Sequence, residues 1–367
     1  MELISIKPCN NTFFGDGNQF NFGSNNFIRS KNTPFPSVFF GAIFTAILSE
    51  NDTFRGRFFK ENKYDHEKIL KINQVYLYNE YSKQLYIPAP KDLFLDSNDE
   101  IQFGKFEKVD KKLNSLSFER ILKSPINSDF KKVTNKYINL KNIYDAYLKK
   151  QRLRIDLKDE HEIFVKNNKV GIGINKDTKM VEEGNLYKIE QTEFVDDYWS
   201  YIVEYEIDKD YTEKEYKGIE IKCLENGYLK LGGESKVCKF EKIKNRKIEE
   251  FNEHRKDILK TNILKIVFTS DTFFENNIEE VLKGDIKIIG VANDKPLYIG
   301  GYDMKKSEEN KTGQVRRMYK GYSAGTIVLI EIVNLEKVKD KILNFRENNI
   351  GLSRSKGFGK CIIIEEK

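Results

Sequence analysis

Gly351-Leu352-Ser353-Arg354-Ser355-Lys356-Gly357-Phe358-Gly359-Lys360 runs directly into Cys361-Ile362-Ile363-Ile364 at the end of this 367-residue chain. Three glycines, two serines, one arginine and two lysines make up eight of the first ten of these positions. No acid occurs between Glu347 and Glu365, although 33% of the chain is charged. Glycine permits positive φ and close approach to backbone N–H groups, and cations beside such a turn suit a phosphate. The apolar run that follows reads as a buried strand holding the turn in place. The alternative is an ordinary basic turn before a terminal strand.

Working outward, the preceding segments form a repeating order. Ile263–Phe268 reads as a strand, Phe273–Lys283 as a helix, and Asp285–Val291 and Thr326–Val333 as strands. Leu335–Phe345 carries Val338, Ile342 and Phe345 at helical spacing. Strand, helix, strand, strand, helix, strand is the ferredoxin-like plan. The N-terminal part starts the same way, with a strand at Glu2–Lys7 and a helix from Val38 to Ser49 that Ser37 is placed to cap. Hairpins are expected at Val75–Tyr78 with Gln84–Ile87, and at Tyr228–Leu231 with Val237–Phe240 across Gly232-Gly233-Glu234. Further strands are expected at Lys169–Ile174, Asn185–Ile189 and Tyr201–Ile207. The expected fold is α+β: tandem ferredoxin-like (RRM-like) domains at 1–245 and 246–367, split in the charged stretch Glu241–Lys260. Residues 91–150 are polar and basic and read as an insertion in the first domain, helical around Ile138–Lys150. Lys149, Lys150, Arg152 and Arg154 bunch at its end, most simply as a solvated face.

Bulk properties bound the function. Sixty-three basic and 57 acidic residues give a net charge of +6, which permits a polyanionic partner without requiring one. The mean hydropathy is −0.60. No apolar run reaches the length of a membrane span, and no signal-peptide pattern opens the chain, so a cytoplasmic location without membrane partners is expected. Cys9, Cys223, Cys238 and Cys361 are scattered, as are His66, His161 and His254, and no metal or other cofactor is expected.

Several stretches taken together resemble one family. They are Phe14-Gly15-Asp16-Gly17-Asn18-Gln19-Phe20; Phe35-Pro36-Ser37-Val38 leading into Gly41–Ile47; Val170-Gly171-Ile172 with Glu183-Gly184-Asn185-Leu186-Tyr187; Leu231-Gly232-Gly233-Glu234; Gly325-Thr326; and the loop Gly351–Gly359. In this order they resemble the RAMP superfamily of CRISPR proteins, specifically the family of the third subunit of type III-B (Cmr) effector complexes. The likeness spans most of the chain outside residues 91–150. It implies a non-catalytic subunit that binds the 5′ tag of the guide RNA (crRNA). It also implies contact with the large polymerase-like subunit and the neighbouring backbone RAMP subunit of the Cmr complex. The family's projecting β-hairpin, which helps kink the guide, has no assigned place in the sequence. Gly15 and Asn18 stand where the family has arginines, and Phe44 where it often has another, so Arg29 and Lys31 become the candidate replacements.

Three basic segments are candidate RNA contacts. In the terminal loop they are Gly351, Ser353, Arg354, Ser355, Lys356, Gly357, Gly359 and Lys360, with Arg354 forking onto phosphate and the lysines as point charges. Phe358 reads more simply as a core anchor than as a base-stacking group. The second segment runs from Lys305 to Lys320, where Arg316, Arg317 and Lys320 stand out against a solvated-loop alternative supported by Glu308 and Glu309. The third is the loop Phe14–Lys31, where Asn18, Gln19, Asn25 and Asn26 are either base readers or turn formers, with Arg29 and Lys31 adding charge. Catalysis finds little footing. His66 sits in Tyr64-Asp65-His66-Glu67 and reads as a solvated histidine. Gly232-Gly233-Glu234 offers one carboxylate where a two-metal site needs paired ligands. The competing functions are a guide-processing RAMP endoribonuclease and the equivalent subunit of a type III-A complex.

Overall fold

The computed structural model describes residues 1–15, 26–61, 65–96, 98, 100–110, 118–125, 130–143, 147, 155–244, 248, 261–300, 302–303, 314–315 and 317–366. It is a sheet-rich mixed α/β structure. The larger sheet has eight strands in the order Leu157–Asp159, Lys136–Asn139, Gln84–Pro88, Leu70–Asn79, Trp199–Ile207, Glu2–Pro8, Val237–Lys242 and Asn226–Lys230. Every adjacent pair is antiparallel. The smaller sheet has four antiparallel strands, Ile286–Ala292, Ile327–Ile332, Ile263–Phe268 and Cys361–Glu365 in that order.

The two sheets face each other between outer layers of helix. Phe39, Ile43 and Ile47 of the first helix, Pro36–Glu50, bury against Ile4, Ile6, Tyr201 and Val203 of the larger sheet. The sheet's opposite face, with Tyr76, Leu85, Ile87 and Ile202, meets Val267, Ile327, Leu329, Ile362 and Ile364 of the smaller one. Beyond that, Val338, Ile342 and Phe345 of the helix Leu335–Glu347 cover Leu264, Ile266, Val328 and Ile330. A sheet covered on both faces explains why Cys361–Ile364 reads as an unbroken apolar run and Ile263–Phe268 as one interrupted only by Lys265, rather than as alternating ones.

Several expectations need correction. Proline occupies the first turn of the first helix and Phe35 is its N-cap, so Ser37 caps nothing. Proline's fixed φ suits that position and its missing N–H costs nothing there. The expected helix Phe273–Lys283 is a two-residue strand, Thr272–Phe273, followed by one turn, Ile278–Val281, because Phe273 and Phe274 are drawn into the core and the Asn277 side chain starts the helix late by accepting from the Glu280 amide. Around Ile138 the chain forms the strand Lys136–Asn139 and then one turn, Leu140–Ile143, since Tyr137 and Ile138 pair with Pro88 and Ile87. Lys149, Lys150, Arg152, Arg154 and His254 lie outside the described residues, as does most of the expected boundary 241–260.

The described part of the segment 91–150 contributes Leu93, Phe106, Val133, Ile138 and Tyr147 to the core between the sheets. Asp92 is fully buried, receives the Tyr147 hydroxyl, and lies 3.1 Å from Lys265 Nζ, which also pairs with Glu366 at 2.7 Å. Burial pushes the Lys265 ammonium down, but the two carboxylates outweigh it and hold the amine above its usual range. The small hairpin Lys105–Lys108 with Arg120–Lys123 lies on the edge strand Ile286–Ala292, bringing Phe106 against Gly290. The hairpin thereby lays Phe106 on the face of the smaller sheet, 5.7 Å from the Lys265 ammonium.

Candidate nucleic-acid interface

The glycine-rich loop lies where the two sheets' layers meet. The Ile72 amide donates to the Ser355 carbonyl at 2.7 Å, and the Leu352 amide to the Phe273 carbonyl at 2.8 Å. The amides of Lys356, Gly357, Gly359 and Lys360 are also taken, by Ser353, Arg354, Asp271 and Ser270. Gly359 has φ +78°, and a Cβ there would lie 1.7 Å from the Ile350 carbonyl oxygen. Phe358 is buried between the Phe35 and Phe273 rings, as an anchor. Gly357, Gly359 and Lys360 are therefore structural: buried and bonded within the fold, they present no amide or amine to a ligand. Gly351 is half-buried with φ +86° against the Phe273 carbonyl. Lys356 pairs with Glu67 at 2.8 Å, and the Ser355 hydroxyl donates to the same carboxylate at 2.7 Å. Ser353 and Arg354 are exposed. Arg354 and Ser355 open onto a groove of about 950 Å³ that is also lined by Lys68, Lys71, Glu206 and Asn348.

A second surface is built by the long hairpin, Phe164–Ile174 with Val181–Phe194. The short strand Asn26–Ile28 pairs in parallel with its second arm. Val170 lies opposite Lys188, Ile172 opposite Leu186, and Lys188 is in register with Phe27, so these side chains share one face. Val170, Ile172, Leu186 and Phe27 are all exposed, and Ile174 and Val181 extend the apolar surface beyond a bulge. The Lys188 ammonium lies 5.3 Å and the Arg29 guanidinium 5.8 Å from the centroid of the Phe27 ring. On the opposite face the Tyr187 ring lies over Gly171, where a Cβ would come within 2.2 Å of it. Exposed apolar groups, an aromatic ring and two cations form a surface suited to unstacked bases and phosphates.

Lys31 serves differently. Its ammonium pairs with Asp271 at 3.2 Å and sits 3.4 Å from the Phe35 ring centroid. It ties the first loop to the C-terminal unit. In the third surface Tyr298 stands opposite Lys320 on a small three-stranded sheet, with Met318 exposed beside it. Arg317 lies 5.4 Å from the Tyr319 ring centroid and donates to the Asn276 side chain at 3.2 Å. Asn18, Gln19, Asn25 and Arg316 lie outside the described residues, and Asn26 begins the strand beside the hairpin.

Gly232-Gly233-Glu234 is a hairpin turn. Gly233 donates to the Phe13 carbonyl at 2.9 Å, and the Glu234 carboxylate accepts from Gln191 at 2.8 Å and faces Lys169 and Lys236. His66 is less solvated than its charged neighbours suggested, packing edge-on to Phe40 at 5.8 Å. Among the described residues no group of His, Cys, Asp and Glu is arranged to hold a metal ion, and no helix is long and apolar enough to cross a membrane.

Sequence reasoning missed Phe27, Lys188, Tyr298 and Glu67. The alternation at Val170, Ile172 and Ile174 was a signal for the hairpin face, but the partnership of Lys188 with Phe27 depends on a long-range parallel pairing.

The family model for the CRISPR-associated protein Cas_Cmr3 matches residues 4–366. The chain belongs to that family. This agrees with the ordered motifs that run from Phe14 to Gly359. Among solved structures, one similar chain comes from the type III-B Cmr-beta complex bound to cognate target RNA and AMPPnP, at 17% identity and a TM-score of 0.45, covering 94% of this chain and 89% of that one. A second comes from the same type of complex bound to cognate target RNA, at 18% identity and a TM-score of 0.45 with the same coverage. A third, from its apo state, has 13% identity and a TM-score of 0.30 over 66% of this chain. Comparison with curated proteins gives no match.

Proposed function

We propose that this Cas_Cmr3-family chain is a non-catalytic RNA-binding subunit of a type III-B CRISPR effector complex. In this reading it binds the 5′ tag of the guide RNA and contacts the large polymerase-like subunit and the neighbouring backbone RAMP subunit in the cytoplasm. The single observation that carries this reading is the family match over residues 4–366. The sheet orders support a tandem ferredoxin-like (RAMP) plan. Around the strand Glu2–Pro8 the neighbours run Leu70–Asn79, Trp199–Ile207, Glu2–Pro8, Val237–Lys242, and around Ile263–Phe268 they run in the equivalent order. The hairpin Phe164–Phe194 is the projecting arm that the sequence left unassigned, and Phe27, Arg29 and Lys188 at its base are the best-placed RNA contacts. Arg317, Lys320 and Tyr298 form a second contact. Arg354 contributes from the groove.

The test is reconstitution with the other subunits and a tagged guide, with a photo-crosslinker at Ile172. Crosslinks to the 5′ end of the guide are expected. A complex that assembles and retains its guide equally well without this chain would overturn the reading. Incubating the purified chain with a repeat-containing precursor RNA separates scaffold from nuclease: no cleavage is expected at enzyme excess, and a single metal-independent cut lost in His66→Ala would establish the enzyme instead.

A further inference from the structure

The anion-binding chemistry read from Gly351–Lys360 exists in the fold, and a carboxylate already uses it. One oxygen of Glu67 accepts from Ser355 Oγ at 2.7 Å and the other lies 2.8 Å from Lys356 Nζ. A hydroxyl and an ammonium on consecutive residues, holding two oxygens of one anion, form a donor set that a phosphodiester can use. The seat is not sealed, for the Glu67 side chain is 41% exposed. Glu67, Arg354 and Ser355 border the same groove, into which Lys68 and Lys71 also face. Glu206, which is the cross-strand neighbour of Lys71, is joined by Glu2, Asp208 and Asp210 as the groove's other acids, set against Lys68, Lys71, Lys209 and Arg354. Glu67 sits on the one-turn helix His66–Ile69, so rotation about its side-chain bonds withdraws the carboxylate without moving the backbone.

We infer that Glu67 is an internal substitute for phosphate. A phosphodiester of single-stranded RNA enters through the groove, displaces the carboxylate from Ser355 and Lys356, and gains Arg354 as a third partner. This rests on the RNA-binding reading above and adds a threshold to it. The seat stays closed to weakly held anions and opens only to a strand whose other contacts offset the loss of Glu67.

The experiment compares full-length wild type with Glu67→Gln, Glu67→Ser and the double variant Glu67→Gln/Lys356→Met. Each is titrated at fixed salt with a labelled single-stranded RNA of about eight nucleotides, with inorganic phosphate as competitor. Thermal melts establish that each variant is folded. Both single variants are expected to bind about tenfold tighter than wild type, with the gain abolished by Lys356→Met and reduced by phosphate. Folded single variants that bind no tighter than wild type would overturn the exchange, and so would a gain that survives Lys356→Met. Guide retention in the reconstituted complex keeps the two proposals apart. Retained guide with unchanged short-RNA affinity removes only the exchange, whereas a complex indifferent to this subunit removes the function.

Discussion

A Cβ added to Gly359 would lie 1.7 Å from a backbone oxygen, whereas the face bearing Val170, Ile172 and Leu186 on the long hairpin meets solvent. Both regions combine glycine, lysine and apolar residues. In the terminal loop the glycines admit neighbouring backbone, Phe358 fills the space between two rings, and Lys356 answers an internal acid. On the hairpin, Gly171 makes room for Tyr187 on one face and the apolar side chains of the other are left outward. Glycine beside cations thus marks a tight fit of backbone as readily as a ligand cradle. What separates the two is which groups remain unsatisfied once the chain has folded.

The contrast can be broken at four points. The largest effect is expected from Gly359→Ala, which combines a forbidden φ with a backbone clash and should cost about 4 kcal/mol in urea unfolding. A loss under about 1 kcal/mol would mean that the loop is not a structural joint. Next, Arg29→Ala with Lys188→Ala should weaken single-stranded RNA binding by about tenfold and flatten the salt slope by about 1.4, with the melting temperature unchanged. Equal losses from Lys360→Ala would reverse the assignment of the two regions. Third comes the pH dependence of the Glu67 clasp. Burial raises this carboxyl, but the hydrogen bonds from Lys356 and Ser355 and the Lys356 charge outweigh burial and leave it below its usual range. The clasp's contribution is therefore complete above the unfolded carboxylate value of about 4.3 and disappears as pH falls through the lowered folded value. With Glu67 so exposed it should amount to less than about 1 kcal/mol, measured as the stability difference between wild type and Glu67→Gln from pH 7 to pH 3. The smallest effect is expected from Val170→Ser, within about 0.5 kcal/mol of wild-type stability, because the side chain is 60% exposed.

Local pattern carried most of the architecture. Ile263–Phe268 and Cys361–Ile364 announced buried strands through composition alone, and Val338, Ile342 and Phe345 placed the late helix through spacing. The one-turn helix at Ile278–Val281 was illegible because Phe273 and Phe274 are equally good helix-face and core residues, and tertiary burial decided between them. The segment 91–150 read as an insertion because it is polar and basic. Asp92 and Lys91 are nevertheless buried, paired with Lys265 and with the half-buried Asp294. Among the candidate contacts, charge singled out Arg354 and Arg29, which are both exposed. Charge singled out Lys31 too, but its partners Asp271 and Phe35 belong to separate parts of the chain, and no local reading foretells that its charge is already engaged.

The buried triad of Lys265, Asp92 and Glu366 bears on how the chain can be divided. Cutting the polypeptide between the two sheets would leave Lys265 with Glu366 on one fragment and strand the carboxylate of Asp92 on the other, in an apolar surface made for the missing half. Separately produced halves should be insoluble or aggregate, and the intact chain should melt as one cooperative block. Exchange of either sheet among relatives would then have to preserve the match of Asp92 to Lys265 across the joint.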